Sequence, residues 1–220
     1  MLIMWGVKVM RPELYLLIMC ILCFATVIIS WTVNRSRARE ELSNAIKQDI
    51  TSEQMQAAEE RVSTFFRENN LRPGVPILQI GQVLKIHPSE FGEPVSGQAH
   101  LSEPDENGTM FVTFRKGLTP QERQFAFAHE CGHVLNKDTV PIDRPTGRHK
   151  DPAEQAADYV AAALLMPLDD VYNYLLENRY KDISSRQRVK VIRRLCQRYG
   201  VSNVIAVRRI REVYMLKEAG

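Results

Sequence analysis

The sequence predicts an α+β fold, mostly helical with a short antiparallel sheet, preceded by one transmembrane helix. Three observations carry this. The run "LYLLIMCILCFATVIISWTV" at 14–33 holds no charge. Two runs, "GQAHLS" and "TMFVTF", flank the turn-forming "EPDENG" and read as a hairpin. From Thr119 onward, helix start signals dominate.

The apolar run is long enough to span a bilayer. Its twenty positions at ~1.5 Å per residue cover roughly 30 Å. Tyr15 and Trp31 suit the two interfaces. A secretory signal peptide is the rival reading, but "WTVNRSRARE" offers no small-x-small cleavage site. Arg35, Arg37 and Arg39 follow the span, and Lys8 and Arg11 precede it. The positive-inside rule then places the C-terminal side in the cytoplasm. Initiation at Met10 instead of Met1 would remove Lys8 and strengthen that orientation. The expected organisation is a membrane anchor at 1–35, a stalk helix at 36–71 and a folded domain at 72–220.

Within the stalk, "TSEQMQAAEERVSTFFREN" carries Met55, Val62 and Phe65 or Phe66 at helical spacing. "RPGVP" at 72–76 breaks the chain, and a short helix at about 76–85 follows. Next comes the hairpin, with 109–114 as the better strand. Asn107-Gly108-Thr109 matches a glycosylation sequon but is more simply turn chemistry. Thr119-Pro120-Gln121-Glu122 is a capping box opening a helix at about 120–136, and Asp151-Pro152-Ala153-Glu154 has the same pattern. A polar loop at 137–150 separates them, and further helices are expected at about 168–178, 184–199 and 202–217.

Composition excludes some classes. A net charge of +3 is too small to argue for a nucleic-acid partner. Cys20, Cys23, Cys131 and Cys196 form no disulfide framework.

The chemistry is concentrated in "FAFAHECGHVL" at 125–135. His129 and His133 are four apart, so on a helix their Cβ atoms lie ~5–6 Å apart on one face and both imidazoles can meet one metal ion. Glu130 sits beside that face, placed to take a proton from an attacking water. This is the H-E-x-x-H arrangement of two zinc ligands and a general base. With 5 His in 220 residues, composition alone gives the pattern at roughly the 1% level. The apolar flanks bury the helix, and buried histidines need partners that a metal supplies.

A third ligand must come from elsewhere. Glu154 and Asp158 are i, i+4 in the otherwise alanine-rich "DPAEQAADYVAAALLMP". Small residues there, facing Gly132, would let two helices approach closely. Glu154 is the candidate ligand, although its capping-box position offers a purely structural role. Asp158 is the candidate acceptor for an imidazole N–H, which fixes the histidine tautomer. His100 and His149 are weaker candidates, better read as surface histidines, and Cys131 reads as a small buried residue.

The runs "MFVTFRKGLTPQERQFAFAHECGHVL", "EQAADYVAAALLMP" and "RYGVSNVIAVRRI" together resemble the ImmA/IrrE family of metallopeptidases, over about residues 72–216. The resemblance includes Arg123 ahead of the histidines. It implies a minimal zincin-like domain with Zn2+ held by His129, His133 and Glu154, and with Glu130 as catalytic base. It also implies cleavage of a protein substrate, a helix-turn-helix transcriptional repressor. The anchor departs from most members. The expected function is therefore a membrane-anchored zinc endopeptidase, with 109–114 as an exposed edge strand that holds the substrate peptide. The alternative is a non-catalytic metal-binding regulatory module of the same fold.

Residues 185–217 carry ten Lys and Arg. Their two helices flank Gly200-Val201-Ser202, with Ser202 as N-cap, and could form a DNA-binding pair. The simpler reading is that they close the core, with Val189, Ile192, Leu195 and Tyr199 as one stripe and Val207, Ile210 and Tyr214 as another. Direct nucleic-acid binding is not expected.

Overall fold

A computed structural model describes residues 50–89, 98–137 and 151–218. The apolar run at 14–33, the first part of the expected stalk, most of the 137–150 loop and His149 lie outside the described residues. Among the described residues, no helix is long and apolar enough to cross a membrane. The described residues form seven helices and three strands: α1 (Ser52–Glu68), α2 (Ile77–Val83), β1 (Ile86–Pro88), β2 (Ala99–Leu101), β3 (Met110–Phe114), α3 (Pro120–Asn136), α4 (Pro152–Leu165), α5 (Leu168–Glu177), α6 (Ser185–Tyr199) and α7 (Asn203–Glu218).

The expected α+β class holds, but the sheet is mixed rather than antiparallel. Its order is β1-β3-β2, with β1 parallel and β2 antiparallel to β3. Residues 109–114 were expected as an edge; β3 is instead the central strand. The strand that displaces it, β1, has three residues and ends in Pro88. So short a run has no readable periodicity, and proline argues against a strand. The β2–β3 hairpin forms as expected. Asp105 Oδ1 accepts from the backbone N–H of Asn107 and of Thr109, both at 2.8 Å. Gly108 supplies the positive φ, +73°, that the turn requires.

Local chemistry fixes the helix starts. Thr51 and Gln54 cap α1 reciprocally, as do Thr119 and Glu122 at α3 and Ser184 and Gln187 at α6. At α4 the cap differs: Asp151 Oδ1 accepts from Ala153 N at 3.1 Å.

The helix α1 is more than a stalk. Met55, Ala58, Val62, Phe65 and Phe66 form its buried face and join the same hydrophobic core as the rest of the fold. It packs on α4 and α7. The expected apolar positions are correct; burying them against a second surface removes them from water.

At the centre, α3 and α4 pack more extensively than any other pair of elements. Ala157, Ala161, Ala162 and Ala163 are fully buried, so α4 has core on nearly every side. A Cβ added to Gly132 would lie 2.7 Å from the Ala157 backbone oxygen and 3.2 Å from its Cα. This is the close helix approach expected from the small residues. Gly132→Ala would ordinarily strengthen a helix interior by up to ~1 kcal/mol. Here the neighbour is backbone and cannot step aside, so overpacking at about 1–3 kcal/mol wins. We expect a lower Tm for Gly132→Ala; an unchanged or raised Tm in a thermal melt would contradict the close approach.

The C-terminal helices do close the core, but along different stripes. On α6 the buried residues are Val191, Leu195 and Tyr199, whereas Val189 is 55% exposed. On α7 they are Ala206, Arg208, Arg209, Ile210, Glu212, Val213 and Leu216; Val207 and Tyr214 are only half-buried. Ser202 Oγ accepts from Ile205 N at 3.4 Å, as expected of an N-cap.

Candidate metal centre

The motif residues lie in the last two turns of α3. His133 and Glu130 are buried, at 2% and 3% exposure. The two imidazoles meet edge to face, with Nε2 atoms 3.0 Å apart. From the first turn of α4, Glu154 reaches the same point: Oε2 lies 3.3 Å from His129 Nε2, and Oε1 lies 3.3 Å from His133 Nε2. Thus Glu154 faces the histidines while Asp151 caps the helix. One donor atom from each of His129, His133 and Glu154 lies within 4.8 Å of the others, a cluster that can hold a metal ion.

Asp158, one turn further along α4, fixes the ring orientation. His129 Nδ1 lies 2.8 Å from Asp158 Oδ1. Against a carboxylate, Nδ1 carries the proton, so the Nε2 lone pair is directed at His133 and Glu154. Nε2 of both rings and the Glu154 carboxylate then converge on one point, an arrangement that suits a cation. The electrostatics agree. Burial disfavours charge on His129, but the neighbouring acids, Asp158 first and then Glu154 and Glu130, raise its pKa to about 9. The side chains of His129 and Glu154 keep 13% and 20% exposure, against 2% for His133.

Residues 86–211 match the Peptidase_M78 family, the IrrE N-terminal-like domain. The chain belongs to this family. The matched span holds His129, Glu130, His133, Glu154 and Asp158. No curated protein matches the chain significantly. Among solved structures, the fold is similar to a Mycobacterium tuberculosis transcriptional regulator, at TM-score 0.50 and 18% identity, over 77% of this chain and 50% of that one. The chain therefore corresponds to about half the length of that structure.

Among the described residues, the other candidates stay outside the cluster. His100 is exposed on β2. Arg123 lies with its guanidinium 4.5 Å from the Phe114 ring centroid. Cys131 is fully buried, and burial pushes its thiol pKa up, as befits an inert core residue.

Sequence reasoning missed a buried charge network behind the centre. Arg208 Nη1 lies 3.5 Å from Asp158 Oδ2, and Arg208 Nε donates to Glu212 Oε1 at 2.8 Å. Arg209, fully buried, pairs with Glu59 Oε1 at 2.6 Å and donates to the Met166 carbonyl at 2.9 Å. Tyr159 donates to Glu59 Oε1 at 2.7 Å. The one local signal was the spacing of Arg208 and Glu212, i and i+4 on α7, which lets them pair on one face.

Proposed function

We propose that the chain is a membrane-anchored zinc endopeptidase. The observation that carries the zinc peptidase reading is the convergence of His129, His133 and Glu154 on one point, with Glu130 adjacent on the same helix. Two imidazoles and one carboxylate form the borderline donor set that zinc prefers, leaving a fourth position for water or substrate. Bound zinc supplies Lewis acidity, which acidifies water and polarises a scissile carbonyl. Glu130 takes the proton of the attacking water and passes it to the leaving amine, so one buried carboxylate acts first as base and then as acid. Asp158 holds His129 in the tautomer that presents Nε2.

Since β3 is paired on both sides, the substrate edge is assigned to β2, which packs against α3. An extended peptide added there would run along the helix that carries the histidines.

The proposed substrate is a cytoplasmic helix-turn-helix repressor, cut in an extended linker. The family resemblance supports the substrate class, and the arginines after the apolar run support the compartment. A helix or paired strand cannot add to a sheet edge, because its backbone groups are already engaged. Proteomes of cells carrying wild type and Glu130→Gln should differ by fragments of such a regulator. Glu130-dependent fragments drawn only from membrane or exported proteins would point instead to a substrate gathered by tethering, which raises effective concentration. For the anchor at 14–33, a C-terminal reporter that works only in the cytoplasm should be active. Signal from one that works only outside would reverse the orientation.

A further inference from the structure

We infer that Arg208 is a positioning residue for the metal centre, acting through Asp158 on His129. The inference rests on the zinc reading above.

Asp158 has two oxygens with different tasks. Oδ1 accepts the His129 Nδ1 proton at 2.8 Å, and Oδ2 faces Arg208 Nη1 at 3.5 Å. Asp158 and Arg208 are 4% and 5% exposed, so water does not take the place of a partner lost between them. With its second oxygen unheld, the Asp158 carboxylate is free to rotate away from the ring. A guanidinium presents its donors in a fixed plane, and Nη1 opposite Oδ2 limits that rotation and keeps Oδ1 on His129.

Arg208 is itself fixed from behind. Its Nε donates to Glu212 Oε1 at 2.8 Å, one turn along α7, and Glu212 is 3% exposed. The two edges of one planar fork thus hold two carboxylates on different helices, α7 and α4. A lysine ammonium has no such fork and serves both positions poorly. Partnering Glu212 alone would not require Nη1 to face Asp158. The arrangement therefore extends the placement of a zinc ligand to a helix that contributes no ligand of its own.

The test is zinc affinity of the full-length chain in detergent, measured by competition with a chromophoric chelator, so no peptidase assay is involved. Arg208→Met is made together with Glu212→Gln, which leaves no unpaired carboxylate from that pair. Asp158→Asn and the combination of all three complete a cycle. With Asp158 present, loss of Arg208 should weaken zinc binding by about 10–100-fold, the usual scale for a partner behind a ligand. In the Asp158→Asn background, the same loss should have little further effect. Unchanged or tighter zinc binding without Arg208 would overturn the inference, because Coulomb repulsion alone would make a nearby cation disfavour zinc. An equal loss in both backgrounds would also overturn it, since Arg208 would then merely support the fold. Should the variant carrying Arg208→Met and Glu212→Gln not fold, Arg208→Lys retains a buried cation and is judged by the same cycle, with a smaller loss expected. A wild-type chain that binds no zinc would overturn the zinc reading itself, and this inference with it.

Discussion

Glu130→Gln is expected to abolish peptide cleavage while leaving zinc and fold in place. The substitution keeps size and shape at a residue of 3% exposure, so packing should survive. It removes only the ability to accept a proton. General acid–base catalysis contributes typically about 10²–10⁴-fold, and kcat should fall on that scale. Because Glu130 is not among the clustered donor atoms of His129, His133 and Glu154, zinc content should stay near that of the wild type. A kcat within a few-fold of wild type would show that the proton goes elsewhere. Lost activity accompanied by lost zinc would instead make Glu130 a ligand.

The second large effect is on metal content. The wild-type chain should carry about one zinc, and His133→Ala should carry almost none, since a three-donor set reduced to two no longer holds the ion. Elemental analysis of both proteins checks this; equal zinc in the two would defeat the ligand assignment. Glu154→Gln refines it. The glutamine amide could still serve a helix cap, so a capping role predicts unchanged zinc, whereas a ligand role predicts weaker binding. The structure favours the ligand role, since Asp151 caps α4 through Ala153 N and Glu154 lies 3.3 Å from both imidazoles.

What the sequence revealed follows from how local each signal is. The boundaries of α3 were legible because Thr119, Pro120 and Glu122 act within one turn. Glu154 and Asp158 were legible because two acids at i, i+4 stand out in an alanine-rich helix. The sheet was half legible: the hairpin announces itself through Asp105 and Gly108, but β1 is defined only by its partner. The α6 stripe was misplaced because Val189 and Val191 are both apolar and nothing local says which faces inward. Arg188 takes part of the inner face by bonding the Tyr180 and Lys181 carbonyls. The network of Arg208, Arg209, Glu212 and Glu59 was hidden for a related reason. Charged residues on an amphipathic helix usually face solvent, and only the tertiary fold shows that this face of α7 meets α1 and α4.

Gly132 and Ala157 bring the main chains of α3 and α4 together at the level of the ligands. In small zinc-organised folds the cation nucleates the structure, and chelators unfold it. Here the two helices that carry His129, His133 and Glu154 are locked by tight packing, so on the zinc reading the site would be preassembled and the ion an exchangeable part. Chelation should thus empty the protein without melting it, and reloading with another divalent ion should require no refolding.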